Sequence, residues 1–88
     1  MTHLVRVASP LRSYTRGAAT VEADGTTIAE LLADIERRYP GIRFRMIDEQ
    51  DRIRPHVRLY VETREVEGVG TRLEATETVH IICALTGG

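Results

Sequence analysis

The chain contains neither lysine nor tryptophan. All 12 of its basic residues are arginine, so the N-terminus is the only amine and no side chain of its own can accept an isopeptide bond. A single cysteine, Cys83, excludes an internal disulfide framework. The three histidines, His3, His56 and His80, share no ligand spacing, and no structural metal is expected. No apolar run approaches the roughly 20 residues that cross a bilayer. The start, Met1-Thr2-His3-Leu4, lacks the charged-then-apolar pattern of a secretory signal, so the expectation is a cytoplasmic protein without a membrane partner. A net charge of −1 on a 28% charged chain argues against nucleic acid as a partner.

What is present is a chain of 88 residues, 42% apolar, enough for one core. The expected organisation is one domain over 1–88, with a flexible tail at 84–88. Leu4-Val5-Arg6-Val7-Ala8 reads as a strand closed by Ser9-Pro10. Ala18 to Ala23 reads as a second strand, stopped by Asp24-Gly25 and paired with the first as a hairpin with a long connection.

Thr26 or Thr27 can cap a helix, with Glu30 completing a capping box. Ile28, Leu31, Leu32 and Ile35 then recur at helical spacing, which predicts an apolar stripe with Glu30, Asp34, Glu36, Arg37 and Arg38 outward. Pro40-Gly41 ends it. Between Ile42 and Arg54 the pattern weakens, and the expectation is a short turn of helix or an irregular connection that tucks Phe44, Met46, Ile47 and Ile53 under the sheet edge.

Val57, Leu59 and Val61 alternate with polar residues as one face of a strand. Arg64-Glu65-Val66 forms a brief strand after a turn. Thr78 to Leu85 reads as the last strand, with Val79, Ile81 and Cys83 on one face and His80, Ile82 and Ala84 on the other. One amphipathic helix covers one face of a mixed sheet, so the predicted fold is α+β in two layers. With the helix as a crossover, the first and last strands lie parallel at the sheet centre, a β-grasp arrangement of four to five strands with its other face open.

The chain ends on Ala84-Leu85-Thr86-Gly87-Gly88. Alone, two terminal glycines read as a frayed end. A glycine tail also passes where a Cβ would clash, and in extended form it reaches roughly 13 Å from Ala84 to Gly88. In its β-grasp context, Gly88 is the candidate reactive group and Gly87 gives it access.

By alternation the open face carries Leu4, Arg6, Tyr60, Ile82 and Val66, an apolar patch with an arginine beside the tail, and these are the candidate partner contacts. Cys83, on the inward face, reads as an inert hydrophobe rather than a nucleophile. His80 lies on the open face and is assigned no role.

The ordered set Pro10-Leu11-Arg12, Leu31 to Ile42, Val57-Arg58-Leu59-Tyr60-Val61 with Glu65-Val66, and the terminal Gly87-Gly88 resembles the MoaD/ThiS/CysO-like ubiquitin-fold sulfur carriers over essentially the whole chain. Two stretches depart from the family pattern. Glu62 and Thr63 stand where Asn followed by Gly or Asp is common, and Glu74-Ala75-Thr76-Glu77-Thr78 replaces an Asp-Gly-Asp-type turn.

The resemblance implies that an ATP- and Mg-dependent, E1-like enzyme of the MoeB/ThiF type adenylates the Gly88 carboxylate. Sulfur then displaces AMP, leaving a thiocarboxylate that a downstream enzyme consumes. The chain itself is then a protein cosubstrate and not an enzyme, with ATP and Mg held on the partner and no cofactor of its own. The pathway served could be cysteine, thiamin, molybdopterin or a specialised thio-metabolite. The same tail suits a ubiquitin-like modifier of other proteins or the small subunit of molybdopterin synthase. The plainest alternative is an interaction domain with incidental glycines.

Overall fold

A computed structural model describes residues 1–83, so the tail and its candidate residues Gly87 and Gly88 lie outside the described residues. Five strands, β1 (Thr2–Arg6), β2 (Thr20–Asp24), β3 (Val57–Val61), β4 (Arg64–Glu65) and β5 (Val79–Cys83), form one mixed sheet in the order β2-β1-β5-β3-β4. β1 and β5 run parallel at the centre, and the other neighbours are antiparallel. This is the predicted ubiquitin-like β-grasp. Helix α1 (Ile28–Arg38) is the main helix, and α2 (Arg43–Met46) is the short turn expected after it.

The inner sheet face follows from alternation. His3 and Val5, Val21 and Ala23, Val57, Leu59 and Val61, and Val79 and Ile81 are all buried. Against them α1 sets Ile28, Leu31, Leu32 and Ile35, each wholly buried, a contribution of roughly 2 kcal/mol per side chain. Thr27 caps the helix by accepting from the Glu30 backbone N–H at 3.2 Å. The Glu30 carboxylate turns back onto Thr26, whose N–H and hydroxyl donate to it at 2.8 and 2.7 Å and hold its acid below the usual carboxylate range. Gly25 lets the chain enter the helix closely, since a Cβ there would lie 2.6 Å from the Leu31 backbone nitrogen.

In and just after α1, two side chains depart from the sequence expectation. Asp34 is buried rather than outward. It sits three residues after Leu31, at the border of the apolar stripe, where its carboxylate accepts from the Asp24 N–H at 2.8 Å and satisfies the end of edge strand β2. Arg37 and Arg38 neutralise it from the solvent side. Phe44 is exposed, whereas Met46 and Ile47 are buried and Ile53 is partly buried as expected. In a single helical turn Phe44 and Met46 are two positions apart and cannot share a face, and Met46 takes the inward one.

Buried His3 joins β1 to two connections. Its Nδ1 lies 2.8 Å from the Glu77 carbonyl oxygen and its Nε2 lies 3.0 Å from that of Gly25. Both unusual family departures fall on left-handed backbone. Glu62 has φ 56° and Thr76 has φ 68°, conformations that asparagine or glycine adopts at lower cost.

Candidate functional site

The sheet has two distinct poles. Pairing of Val57 with Cys83 brings the start of β3 to the end of β5, and pairing of Arg6 with His80 sets the end of β1 beside the start of β5, so that β1 and β5 run towards the same pole, where Cys83 is the last described residue. The opposite pole holds the start of β1, the end of β2, Glu62 and Glu77. The tail therefore follows on from the first pole, at the exit of a central strand flanked by β1 and β3.

Register fixes the open face. Arg6, His80, Tyr60 and Glu65 form one cross-strand row, because each is paired with the next. Ile82 lies one row towards the tail pole and pairs with Arg58. Leu4 lies one row towards the far pole and pairs with Glu22 on the edge. Leu4 and Ile82 are about half exposed, at 49% and 47%. They are separated by the polar row, so the apolar patch expected from alternation is two islands.

Val66 is not part of this face. Tyr60 pairs with Glu65, which puts Glu65 outward and the following residue inward, and Val66 is 5% exposed in the core. Its N–H donates to the Leu59 carbonyl at 2.7 Å. The remaining sequence-assigned contacts, Leu4, Arg6, Tyr60 and Ile82, do share the outer face. Arg58 is held beside them by Glu65 at 2.8 Å, and that carboxylate pushes the guanidinium pKa further up.

Cys83 is half-buried, and desolvation alone pushes its thiol pKa up. A thiol held protonated is a weak nucleophile, so the side chain adjoining the tail suits packing better than acyl capture. Among the described residues no cluster of three or more histidine, cysteine or acidic side chains could hold a metal. No described helix is long and apolar enough to cross a membrane. Two shallow grooves meet at Cys83, and sequence reasoning missed them because their linings come from stretches far apart along the chain.

A protein-family model described as the ThiS family matches residues 5–88, the sheet, the helix and the terminal glycines together. The chain belongs to the ThiS family. Its resemblance to the ubiquitin-fold sulfur carriers therefore holds over nearly its full length. The sulfur carrier protein CysO of Mycobacterium tuberculosis is 31% identical over 93 residues, covering 100% of both chains. The crystal structure of that CysO superposes with a TM-score of 0.89, covering 94% of this chain and 99% of the other. A crystal structure of the Amycolatopsis orientalis BexX/CysO complex contains a chain 30% identical, with a TM-score of 0.90 and coverage of 98% and 99%. Small archaeal modifier protein 3 of Haloferax volcanii is 29% identical over 68 residues, covering 74% of this ThiS-family chain and 73% of the modifier.

Proposed function

We propose that this ThiS-family protein is a sulfur carrier whose Gly88 carboxylate is converted to a thiocarboxylate. The observation that carries the reading is the match of the family model through Gly87 and Gly88, together with full-length similarity to a sulfur carrier. A carboxylate resists substitution because its leaving group would be oxide. An E1-like partner using ATP and Mg removes that obstacle by transferring AMP to the Gly88 oxygen with loss of pyrophosphate. Hydrosulfide supplied by the partner then attacks the carbonyl carbon, the C–O bond to AMP breaks with AMP taking the bonding pair, and loss of the sulfur-bound proton leaves the thiocarboxylate. A second enzyme uses that sulfur as a nucleophile.

Within this scheme the chain is a cosubstrate. Its sheet holds the tail root at a defined pole, its outer face docks, and its two glycines enter the partner's channel. The BexX/CysO complex supports the docking step, because a similar chain there is seen with another protein. A cytoplasmic setting, where ATP is available, suits the same reading.

Intact-mass spectrometry of the protein co-expressed with an E1-like enzyme from its own genome tests the proposal. The expected product is heavier by the difference between sulfur and oxygen, and it is absent from a variant lacking Gly87 and Gly88. Unchanged mass with every such enzyme in that genome would overturn it. The similarity to an archaeal modifier protein favours one second reading, attachment of Gly88 to lysines of other proteins. Immunoblots of whole cells separate the two, since conjugation yields a ladder that disappears with Gly88 and a carrier yields one free band.

A further inference from the structure

The two grooves at Cys83 differ in charge from the rest of the molecule. One, about 320 Å³, lies between the α2 region and the start of β3 and is lined by Phe44, Arg45, Arg54 and His56. The other, about 390 Å³, lies along the ends of β1 and β5 and is lined by Arg6, Arg12 and His80. Among the described residues neither is lined by a carboxylate. The grooves elsewhere on the surface mix the two signs, Glu65 and Glu67 with Arg58 and the other side of Arg54 in one, and Asp24, Glu30 and Asp34 with Arg37 in another. This segregation occurs in a chain whose net charge is −1.

The groove arginines also stand outside the ion pairs, as do Arg16 and Arg72, which line neither groove. Every ion pair among the described residues uses Arg37, Arg38, Arg43, Arg52, Arg58 or Arg64. The four groove arginines have no carboxylate partner among the described residues, and several are held by other means. Arg12 Nε donates to the Val7 carbonyl at 3.0 Å, and Arg54 Nε donates to that of Phe44 at 2.7 Å. The Arg54 guanidinium also lies 4.5 Å from the centroid of the Phe44 ring, and Phe44 is 57% exposed. Two guanidinium groups are thus positioned through one N–H each, which leaves their remaining donors for a ligand.

We propose that these grooves form one cationic collar around the root of the tail, which docks an acidic segment of the activating enzyme at the mouth of its active-site channel. The sulfur-carrier reading supplies the identity of that enzyme, and the collar deepens it by naming the chemistry of the contact. Guanidinium forks take carboxylates in two-point hydrogen bonds, and exposed Phe44 accepts an apolar side chain between them. A short acidic segment fits better than a long polyanion, because the acidic remainder of the surface repels an extended chain of negative charge.

Two measurements on the full chain test the collar. In the first, the ¹⁵N-labelled protein is titrated with a deca-glutamate peptide. Saturable shifts are expected at Arg6, Arg12, Arg45, Arg54, His56 and Cys83, lost in the exposed-site double variant Arg6→Glu/Arg45→Glu and retained in Arg72→Glu, which makes the same kind of charge change outside the grooves. Arg54→Gln provides a milder second variant. Scattered or absent shifts would overturn the collar, and so would tighter binding of a single-stranded oligonucleotide at the same residues.

In the second, thiocarboxylate formation is followed with the E1-like enzyme. The double variant should raise KM about tenfold with kcat unchanged, and the effect should shrink as salt rises above about 0.15 M. Equal KM values for Arg6→Glu/Arg45→Glu and Arg72→Glu would refute the collar while leaving the carrier reading intact. Wild-type protein that binds deca-glutamate at the collar but never becomes thiocarboxylated would refute the carrier reading and leave the cationic docking surface standing.

Discussion

The far pole and the tail pole of the sheet use their polar side chains in opposite ways. At the far pole Arg64 meets Glu77 at 2.5 Å, Thr2 donates to Asp24 at 2.6 Å, and His3 joins two backbone carbonyls from within the core. At the tail pole Arg6, Arg12 and Arg45 line grooves with no carboxylate among the described residues, and Arg54 lines one of them while its other side reaches the groove of Glu65 and Glu67. Polar groups at the first pole satisfy one another and close connections between strands. Those at the second have donors left over. With the collar proposed above, stability and recognition fall to opposite ends of the same sheet, and the central pair β1 and β5 spans both.

That division can be broken most forcefully at the far pole. His3→Ala removes a buried ring and leaves the Gly25 and Glu77 carbonyls without it, and should lower unfolding free energy by about 3 kcal/mol in a denaturant titration. Gly25→Ala forces a Cβ against the helix backbone and should cost about 2 kcal/mol by the same measurement. Neither change should alter the KM for activation of the protein that remains folded. A large KM effect from either would show that the poles are not independent.

Asp34→Asn comes next, at about 1.5 kcal/mol, because it weakens an acceptor of the Asp24 N–H and leaves Arg37 and Arg38 facing a neutral group. The Asp24 N–H first, and then Arg37 and Arg38, hold the Asp34 pKa in the folded state below its unfolded value. Its contribution is therefore complete above the unfolded value, about 3.9, and is lost as pH falls through the lower folded value. Wild type and Asp34→Asn should differ in stability at neutral pH and converge in acid, as read by thermal unfolding across pH.

The smallest effects are expected at exposed positions of the two poles. Thr76→Gly relieves a left-handed β-branched residue at the far pole and should raise stability by up to about 1 kcal/mol. Arg6→Glu/Arg45→Glu at the tail pole should change stability by less than about 0.5 kcal/mol, since both side chains are exposed and outside the ion pairs. A larger loss there would mean that the tail-pole arginines hold the fold after all.

Much of this organisation was legible in the sequence. The α1 stripe and the β3 alternation are periodic and led directly to the buried sets observed, and one crossover helix implied the parallel β1 and β5 pair. The charge of Asp34 points to an outward side chain, whereas its spacing from Leu31 sets it at the stripe's edge, and position prevails. Val66 could not be placed until the Tyr60 and Glu65 register was known, since one residue of slip exchanges the two faces. His3 shares parity with Val5 and Val7, a signal obscured by starting the strand at Leu4. The tail-pole grooves assemble residues near positions 6–12, 44–56 and 80–83, and a net charge near zero concealed their local sign.

On the sulfur-carrier proposal, this fold presents Gly88 for activation from one pole. Intact-mass spectrometry after incubation with ATP, Mg, a sulfur source and the E1-like enzyme tests it most directly, on wild type and on protein lacking Gly87 and Gly88 with an equal melting temperature. The expected result is replacement of one oxygen by sulfur in wild type alone, localised to Gly88 by fragmentation. Wild-type protein that keeps its mass, or a sulfur gain localised to Cys83, would contradict it.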